Sequence, residues 1–108
     1  MDRCRVIVTF EMKEGAISGF KEKLEKSTPK TLAEKGCLAA GMYQDLENPT
    51  HFQCIEDWES YDDLMNHLHG EKEPDPDDAN VYIMANMVGK DTFHYYKEVI
   101  SLSREQQQ

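Results

Sequence analysis

The chain has 108 residues, enough for one domain with one modest hydrophobic core. Hydrophobic residues make up 39% and charged residues 31%, a composition typical of a globular protein and not of a disordered one. The formal net charge of -9 repels phosphate backbones and anionic lipids, and no basic cluster offsets it. We therefore expect binding neither to nucleic acid nor to a membrane surface.

The N-terminal region and the cysteines indicate a cytoplasmic protein. The apolar run that starts at Val6 is interrupted at Glu11, too early for a signal peptide or a transmembrane helix. The cysteines, Cys4, Cys37 and Cys54, are odd in number, widely spaced and without a C-x-x-C pair, which argues against a disulfide framework and a structural zinc site. No dinucleotide fingerprint or P-loop occurs. We predict reduced thiols, no metal and no bound cofactor.

The first two elements are predicted to be a strand and an interrupted helix. Residues 4–12 are rich in β-branched residues and favour a strand. After Gly15, apolar residues recur at helical spacing: Ile17, Phe20 and Leu24. Pro29 lacks the N–H that a helix needs, so we predict a break near 27–28 and a second short helix over 29–35, ended by Gly36.

Two strands follow. Residues 37–46 favour the second strand, with Gly41 as the site of a β-bulge. A turn at 48–50 leads to the third strand over 51–58. Alternation in this third strand puts four residues on one face: Phe52, Cys54, Glu56 and Trp58.

The second half predicts helices and one last strand. Ser60 is a good N-cap for a helix that Gly70 ends, and residues 71–78 form an exposed acidic loop. Asp75-Pro76 is typical of the start of a further helix before Gly89. Its predicted apolar face consists of Val81, Met84, Ala85 and Val88. Residues 91–102 favour a fourth strand, and the polar tail 103–108 is expected to fray.

The order of elements, β-α-β-β-α-(α)-β, is that of the split βαβ motif. The sequence therefore predicts an α+β, ferredoxin-like domain over residues 1–102, with a four-stranded antiparallel sheet. Helices would cover one face of this sheet and leave the other bare. Because an apolar bare face needs a partner, we predict a homodimer.

Two segments carry a resemblance to a known family. The stretch F-Q-C-I-E-D-W-E-S-Y-D-D-L-M-N-H-L, residues 52–68, resembles the hallmark segment of the antibiotic biosynthesis monooxygenase (ABM) family: E-x-W, a short helix and a His nine residues after the Trp. Glu56, Trp58 and His67 occupy these positions. Residues 35–38 are similar to the E-x-G-C-L segment that leads into the family's second strand. The resemblance spans about residues 5–100 and implies a dimeric α/β barrel.

The family resemblance implies several functions. Some members oxidise phenols or quinols with oxygen and without metal or flavin, some degrade haem, and one branch processes a signalling molecule. Val8 stands near the Asn position of the haem-degrading branch, and of the residues that mark the polyketide-oxidising branch only Trp58 is present. We therefore predict a cofactor-independent monooxygenase that acts on a small apolar phenolic or quinol substrate. The alternatives are a non-catalytic homodimeric module that binds small molecules, and a cofactor-free isomerase or signal-molecule-processing enzyme.

Cofactor-free oxygenation needs a base or hydrogen-bond donor, an aromatic wall and the exclusion of water. His67 has the chemistry of the base, and Trp58 is the only tryptophan available as the wall. Glu56 shares the strand face of Trp58 and, if buried, needs a partner such as His67. Each also has a structural interpretation: a helix-end histidine, a core anchor, and a pair that links strand to helix.

Further residues are predicted to bind the substrate beside Glu56: Tyr43, Cys54, Leu64 and Tyr96. On the fourth strand, Tyr96 shares a face with His94, while Phe93 shares the other face with Tyr95, and the pattern leaves open which face meets the pocket. His67 and His69 point about 200° apart on a helix, which makes them a poor metal pair.

Overall fold

The structure, a computed structural model, describes residues 2–105. Its elements are β1 (Cys4–Met12), a 3-10 turn (Glu14–Ala16), α1 (Ile17–Leu32), β2 (Cys37–Gln44), β3 (His51–Trp58), α2 (Tyr61–His69), α3 (Ala79–Asn86) and β4 (Met87–Lys97). All strand pairs are antiparallel, in the order β2-β3-β1-β4. The predicted α+β ferredoxin-like fold is confirmed. Of the tail predicted to fray, residues 106–108 lie outside the described residues.

The helices cover one face of the sheet and complete two clusters of buried side chains. In the first cluster, the rings of Phe10, Phe20 and Phe52 pack with centroids 5.1 to 6.2 Å apart. In the second, Trp58 and Leu64 are fully buried against β1. The first cluster is covered by α1 and α3, and the second by α2. Because apolar burial drives folding, these clusters fix the helices on the sheet.

The predicted break in the first helix is wrong. Helix α1 runs without interruption from Ile17 to Leu32 and contains Pro29. The proline removes one N–H, whose partner would be the carbonyl of Glu25. Glu25 and Pro29 both lie on the exposed side of the helix, so water can bond that carbonyl. Beyond Pro29 the helical bonds resume, since the amide of Ala33 donates to the Pro29 carbonyl at 3.1 Å.

The predicted β-bulge exists, but not at Gly41. Gly41 pairs regularly with Ile55, and the register between β2 and β3 shifts between Cys37 and Ala39. Leu38 is therefore the extra residue. Gly41 has a different role, because the ring of Tyr43 approaches within 3.0 Å of where its Cβ would be. A glycine within a strand can mark a site where another group comes close to the backbone, and not only a bulge.

The predicted bounds and face of the third helix are wrong. Helix α3 begins after Asp78, whose side chain caps it by accepting from the Asn80 amide at 2.9 Å. Asp75, the expected cap, instead forms an ion pair with Lys30 at 2.8 Å. A different face also packs on the core, since Ala79 and Ile83 are buried, whereas Val81 and Met84 are exposed.

Strand β4 begins at Met87, earlier than predicted. Gly89 has φ +72°, a left-handed conformation that favours glycine, and it lies where the pairing with β1 is irregular, between Thr9 and Glu11. The strand ends at Lys97, so the apolar residues after it are exposed: Val99, Ile100 and Leu102.

The open face of the sheet is less apolar than the sequence pattern indicated. Ile7 and Ile55 lie opposite each other on it and are half-buried. Beside them Arg5 forms a bidentate ion pair with Asp57, at 2.6 and 3.0 Å. None of the helices in residues 2–105 has the length and apolar character needed to span a membrane.

Candidate functional site

Strand β3 presents a mostly buried carboxylate between two hydrogen-bond donors. Trp58, the last residue of the strand, donates its indole N–H to Oε1 of Glu56 at 3.1 Å. On the other side, the Cys54 thiol donates to Oε2 of Glu56 at 3.4 Å. The alternation of a strand places all three side chains on the helix-covered face. Only 12% of the Glu56 side chain is exposed, so these donors replace most of its hydration.

Helix α2 positions His67 over this carboxylate. The helix starts where predicted, with the Ser60 hydroxyl accepting from the Asp63 amide at 3.1 Å. Two turns later the His67 ring packs on the indole of Trp58, with centroids 4.8 Å apart. Its Nε2 lies 3.6 Å from Oε1 of Glu56, and the side chain is 16% exposed. The structure thus brings Glu56, Trp58 and His67 together in one cluster.

The cluster includes two further charged residues, which were not predicted from the sequence. Oε2 of Glu34 lies 2.8 Å from Nδ1 of His67. Lys72 places its Nζ 3.3 Å from Oε1 of Glu34 and 3.0 Å from Nδ1 of His67. Glu34 stands at the first position of the E-x-G-C-L segment, so the signal that could have found it was present in the motif.

Gly36 allows the Glu34 loop to reach helix α2. Its φ of +84° is a left-handed conformation, and a Cβ at this position would lie 2.6 Å from the Cβ of Asp63. Its carbonyl accepts from the Glu59 amide at 2.7 Å. The loop between α1 and β2 therefore packs directly on the start of α2, which brings Glu34 beside His67.

The thiols near Glu56 are held in the neutral form. Burial, followed by the charge of Glu56, raises the pKa of the Cys37 thiol to about 11. Burial also raises the pKa of Cys54, and the charge of Glu56 and its hydrogen bond raise it further. Because the thiolate is the nucleophilic form, neither cysteine is activated at neutral pH. Cys54 acts at this site as a hydrogen-bond donor.

The structure does not bring the other predicted substrate-binding residues to His67. Leu64 is fully buried beside Trp58 as part of the core. Tyr43 pairs with Gln53, and Tyr96 pairs with Arg5, which puts both tyrosines on the open face of the sheet. Both are about half exposed there. On β4, it is Phe93 and Tyr95 that share the helix-covered face with Trp58.

Two surface depressions lie away from this cluster. One, of about 570 Å³, lies beside Glu14 and Pro49, and the other, of about 580 Å³, lies beside Tyr96 at the open sheet face. Neither is lined by Glu56, Trp58 or His67. The cluster is instead packed, and solvent reaches it at Glu34 and Lys72, which are 32% and 45% exposed.

Solved structures with the same fold come from several organisms. A Nitrosomonas europaea protein provisionally named an antibiotic biosynthesis monooxygenase superposes with a TM-score of 0.76 at 17% identity, covering 90% of each chain. A conserved protein from Methanosarcina mazei gives 0.75 at 22% identity, covering 91% of this chain and 94% of its own. A structure named as an antibiotic biosynthesis monooxygenase gives 0.74 at 24% identity, covering 90% and 99%. At these identities the likeness concerns the fold.

Sequence comparison identifies the family. Among curated proteins none matches the chain. The family model described as "Antibiotic biosynthesis monooxygenase" matches residues 3–72, which include Glu34, Glu56, Trp58, His67 and Lys72. That match covers more than half of the 108 residues. The chain therefore belongs to the antibiotic biosynthesis monooxygenase family.

Proposed function

We propose that the protein is a cofactor-independent monooxygenase that oxidises a small apolar phenol or quinol, with His67 as its general base. The observation that carries the proposal is the placement of the His67 imidazole, which packs on Trp58 with its Nε2 directed toward the interior at Glu56. A mostly buried imidazole beside an aromatic wall has the properties that a base for this reaction needs.

The chemistry balances with oxygen as the sole oxidant. His67 takes the proton of the phenol, and the phenolate passes one electron to O₂. The resulting phenoxyl radical and superoxide combine at a ring carbon, and the imidazolium returns its proton to give a hydroperoxide. Loss of the ring C–H proton and cleavage of the O–O bond release water and leave a quinone carbonyl. In sum, phenol and O₂ give quinone and water: the ring loses four electrons, and oxygen gains four.

The other residues of the cluster support the base. Trp58 is fully buried, so it backs the His67 ring instead of touching the substrate. Glu56 lies 3.6 Å from Nε2 and stabilises the imidazolium that forms when His67 takes a proton. Because the cluster is packed, side chains beside Nε2 must move before a substrate reaches it.

Oxygen consumption tests the proposal. With a panel of phenols and quinols, the wild-type protein should consume oxygen. His67→Ala should lower the rate on the order of 10²–10⁴-fold, the contribution of a lost acid–base group. His69→Ala is the matched control, because His69 lies on the same helix but is exposed. The proposal fails if no substrate of the panel drives oxygen uptake, or if His67→Ala retains the full rate.

A second function, a non-catalytic module that binds small molecules, is favoured by a different observation. The polar atoms of the cluster satisfy one another, and neither of the two depressions described above touches it. On this alternative His67 is structural, and His67→Ala should lower the melting temperature while there is no turnover to lose. Ligand-induced thermal stabilisation without oxygen uptake would identify this function.

We also propose that the protein is a homodimer that pairs through the open sheet face. Ile7 and Ile55 lie at the middle of that face, and Tyr43 and Tyr96 flank them. The Arg5–Asp57 ion pair beside them has both its partners in hydrogen bonds already, so it can be covered without leaving an unpaired charge.

A further inference from the structure

We propose that Glu34 is a positioning residue that fixes the tautomer of His67. Its carboxylate holds the ring proton on Nδ1 and so leaves Nε2 as the atom that accepts a proton. The inference rests on the proposed role of His67 as a base, but the tautomer can be measured without any turnover. Glu34 has no predicted role in the sequence pattern, and it acts through His67 instead of touching the substrate.

The distance between Glu34 and His67 defines where the proton lies. Oε2 of Glu34 and Nδ1 of His67 are 2.8 Å apart, which is the length of a charge-assisted hydrogen bond. An ionised carboxylate is an acceptor only. The shared proton must therefore be on Nδ1, and in the neutral ring the lone pair is then on Nε2.

Lys72 offers a competing arrangement. Its Nζ lies 3.0 Å from Nδ1 of His67, and an ammonium group can only donate. If Lys72 donated to Nδ1, the ring proton would be on Nε2, and two lone pairs, of Nδ1 and of the Glu34 carboxylate, would face each other at 2.8 Å. That contact is repulsive. Lys72 has another acceptor in Oε1 of Glu34 at 3.3 Å, so we assign its role as charge partner of Glu34.

The backbone around Glu34 is held in place, which a positioning residue requires. Its amide donates to the carbonyl of Thr31 at 3.0 Å, and its carbonyl accepts from the amide of Cys37 at 3.1 Å. The contact of Gly36 with the start of α2 then fixes the distance between this turn and His67. The main chain that carries the Glu34 side chain is thus hydrogen-bonded on both sides of the residue.

The arrangement prepares His67 for both halves of the proton transfer. Before the reaction, the Nε2 lone pair faces the interior, 3.6 Å from Oε1 of Glu56 and beyond hydrogen-bonding distance. After it, the imidazolium lies between two carboxylates, with Glu34 2.8 Å from Nδ1 and Glu56 3.6 Å from Nε2. A carboxylate that orients a histidine base and stabilises its cation is the logic of carboxylate–histidine dyads in hydrolases.

Nitrogen NMR of the histidine ring provides the test. Long-range ¹H–¹⁵N spectra of wild-type protein, recorded where the His67 ring is neutral, should show the proton on Nδ1. Glu34→Ala should shift the ring toward the Nε2–H tautomer, whereas Glu34→Gln keeps an acceptor oxygen and should retain the Nδ1–H form. Lys72→Ala should leave the tautomer unchanged. Glu25→Ala, at an exposed glutamate of α1, is the matched control.

The outcomes separate this proposal from the proposed function. An Nε2–H ring in the wild-type protein, or a tautomer that follows Lys72→Ala instead of Glu34→Ala, overturns the role of Glu34. With an active substrate, Glu34→Ala should lower kcat on the order of 10²–10⁴-fold with KM little changed. If His67→Ala loses activity but Glu34→Ala does not, the positioning role of Glu34 is refuted and the monooxygenase function stands. If the tautomer depends on Glu34 but the protein takes up no oxygen, the monooxygenase function is refuted and the positioning role of Glu34 stands.

Discussion

Gly36 and Asp63 are packed so closely that a side chain at Gly36 has no room: its Cβ would lie 2.6 Å from the Cβ of Asp63. Gly36 also has φ +84°. We expect Gly36→Ala to destabilise the protein in two ways, through left-handed strain of about 1–2 kcal/mol and through displacement of the α2 start. Urea denaturation measures the loss of free energy of unfolding.

Gly89→Ala is the matched control for this variant. Gly89 also has a positive φ, +72°, but no atom lies within 4 Å of where its Cβ would be. It should therefore show the strain alone, and Gly36→Ala should be the more destabilised of the two. Equal losses in both variants would mean that the contact between the Glu34 loop and α2 contributes nothing measurable.

Trp58 and Glu56 should be energetically coupled through their hydrogen bond. Trp58→Phe removes the indole N–H that Glu56 accepts at 3.1 Å and leaves a buried carboxylate oxygen short of a donor. We expect a loss of about 2–4 kcal/mol from the unsatisfied acceptor and the smaller ring. In Glu56→Ala the same tryptophan change should be milder, with a coupling energy of about 0.5–3 kcal/mol. Additive losses in the double-mutant cycle would contradict the bond.

Native Cys37 should react slowly with iodoacetamide. Because its pKa is raised to about 11, its thiolate fraction at neutral pH is on the order of 10² lower than that of an unperturbed cysteine. The rate should climb through the pH range from 9 to 11, and labelling in urea provides the unfolded control. Mass spectrometry of the peptides distinguishes Cys37 from Cys4 and Cys54. Rapid labelling of folded Cys37 at neutral pH would contradict its burial beside Glu56.

The same pKa shift has a consequence for stability. The folded-state pKa of Cys37 lies above its ordinary value of 9.0, so the folded protein binds the proton more tightly than the unfolded chain does. The corresponding stabilisation is complete below about pH 9 and is lost as the pH rises toward 11. Cys37→Ala should therefore show a smaller decrease in stability over this alkaline range. A decrease identical to that of the wild-type protein would exclude Cys37 as its source.

Light scattering tests the homodimer. At micromolar concentration we expect a mass twice the 12.5 kDa of one chain. Ile55→Lys places a charge at the middle of the open sheet face and should shift the protein toward a monomer, because a buried unpaired charge is costly. Leu46→Lys, in the fully exposed loop after β2, is the control and should remain dimeric. A wild-type mass of 12.5 kDa, or an unchanged mass for Ile55→Lys, would contradict pairing through this face.

Parts of the fold that depend on local chemistry could be predicted from the sequence. Strand β3 has the predicted bounds because its alternation matches a half-buried strand, and α2 begins after Ser60 because a serine cap acts within one turn. Helix α1 was predicted to break because propensity treats Pro29 alone, whereas tertiary contacts lie on both sides of Pro29: the Ser27 hydroxyl accepts from the Ala79 amide at 3.0 Å, and Lys30 pairs with Asp75 at 2.8 Å. Tertiary context overrides local preference in such cases.

The candidate site also has a part that the sequence predicts and a part that it does not. Contact between Glu56 and His67 follows from a strand face and from the helix that packs over it, both of which are visible in the sequence. Glu34 comes from a turn instead, and its position depends on the left-handed backbone of Gly36 and on the packing of that turn against α2. Neither property is encoded by a periodic pattern, so the E-x-G-C-L motif contains Glu34 but does not show that its carboxylate contacts Nδ1 of His67.

The extra residue in β2 changes the parity of the strand. Ala40 and Met42 lie opposite Glu56 and Cys54 on the helix-covered face, so strict alternation would put Leu38 on that face and turn Cys37 away. With Leu38 bulged, Cys37 pairs with Trp58 and joins the buried cluster. Deletion of one residue here would turn each strand residue before the deletion, including Cys37, to the opposite face of the sheet. The length of this segment is thus constrained as strictly as its composition, and the turn that carries Glu34 depends on it.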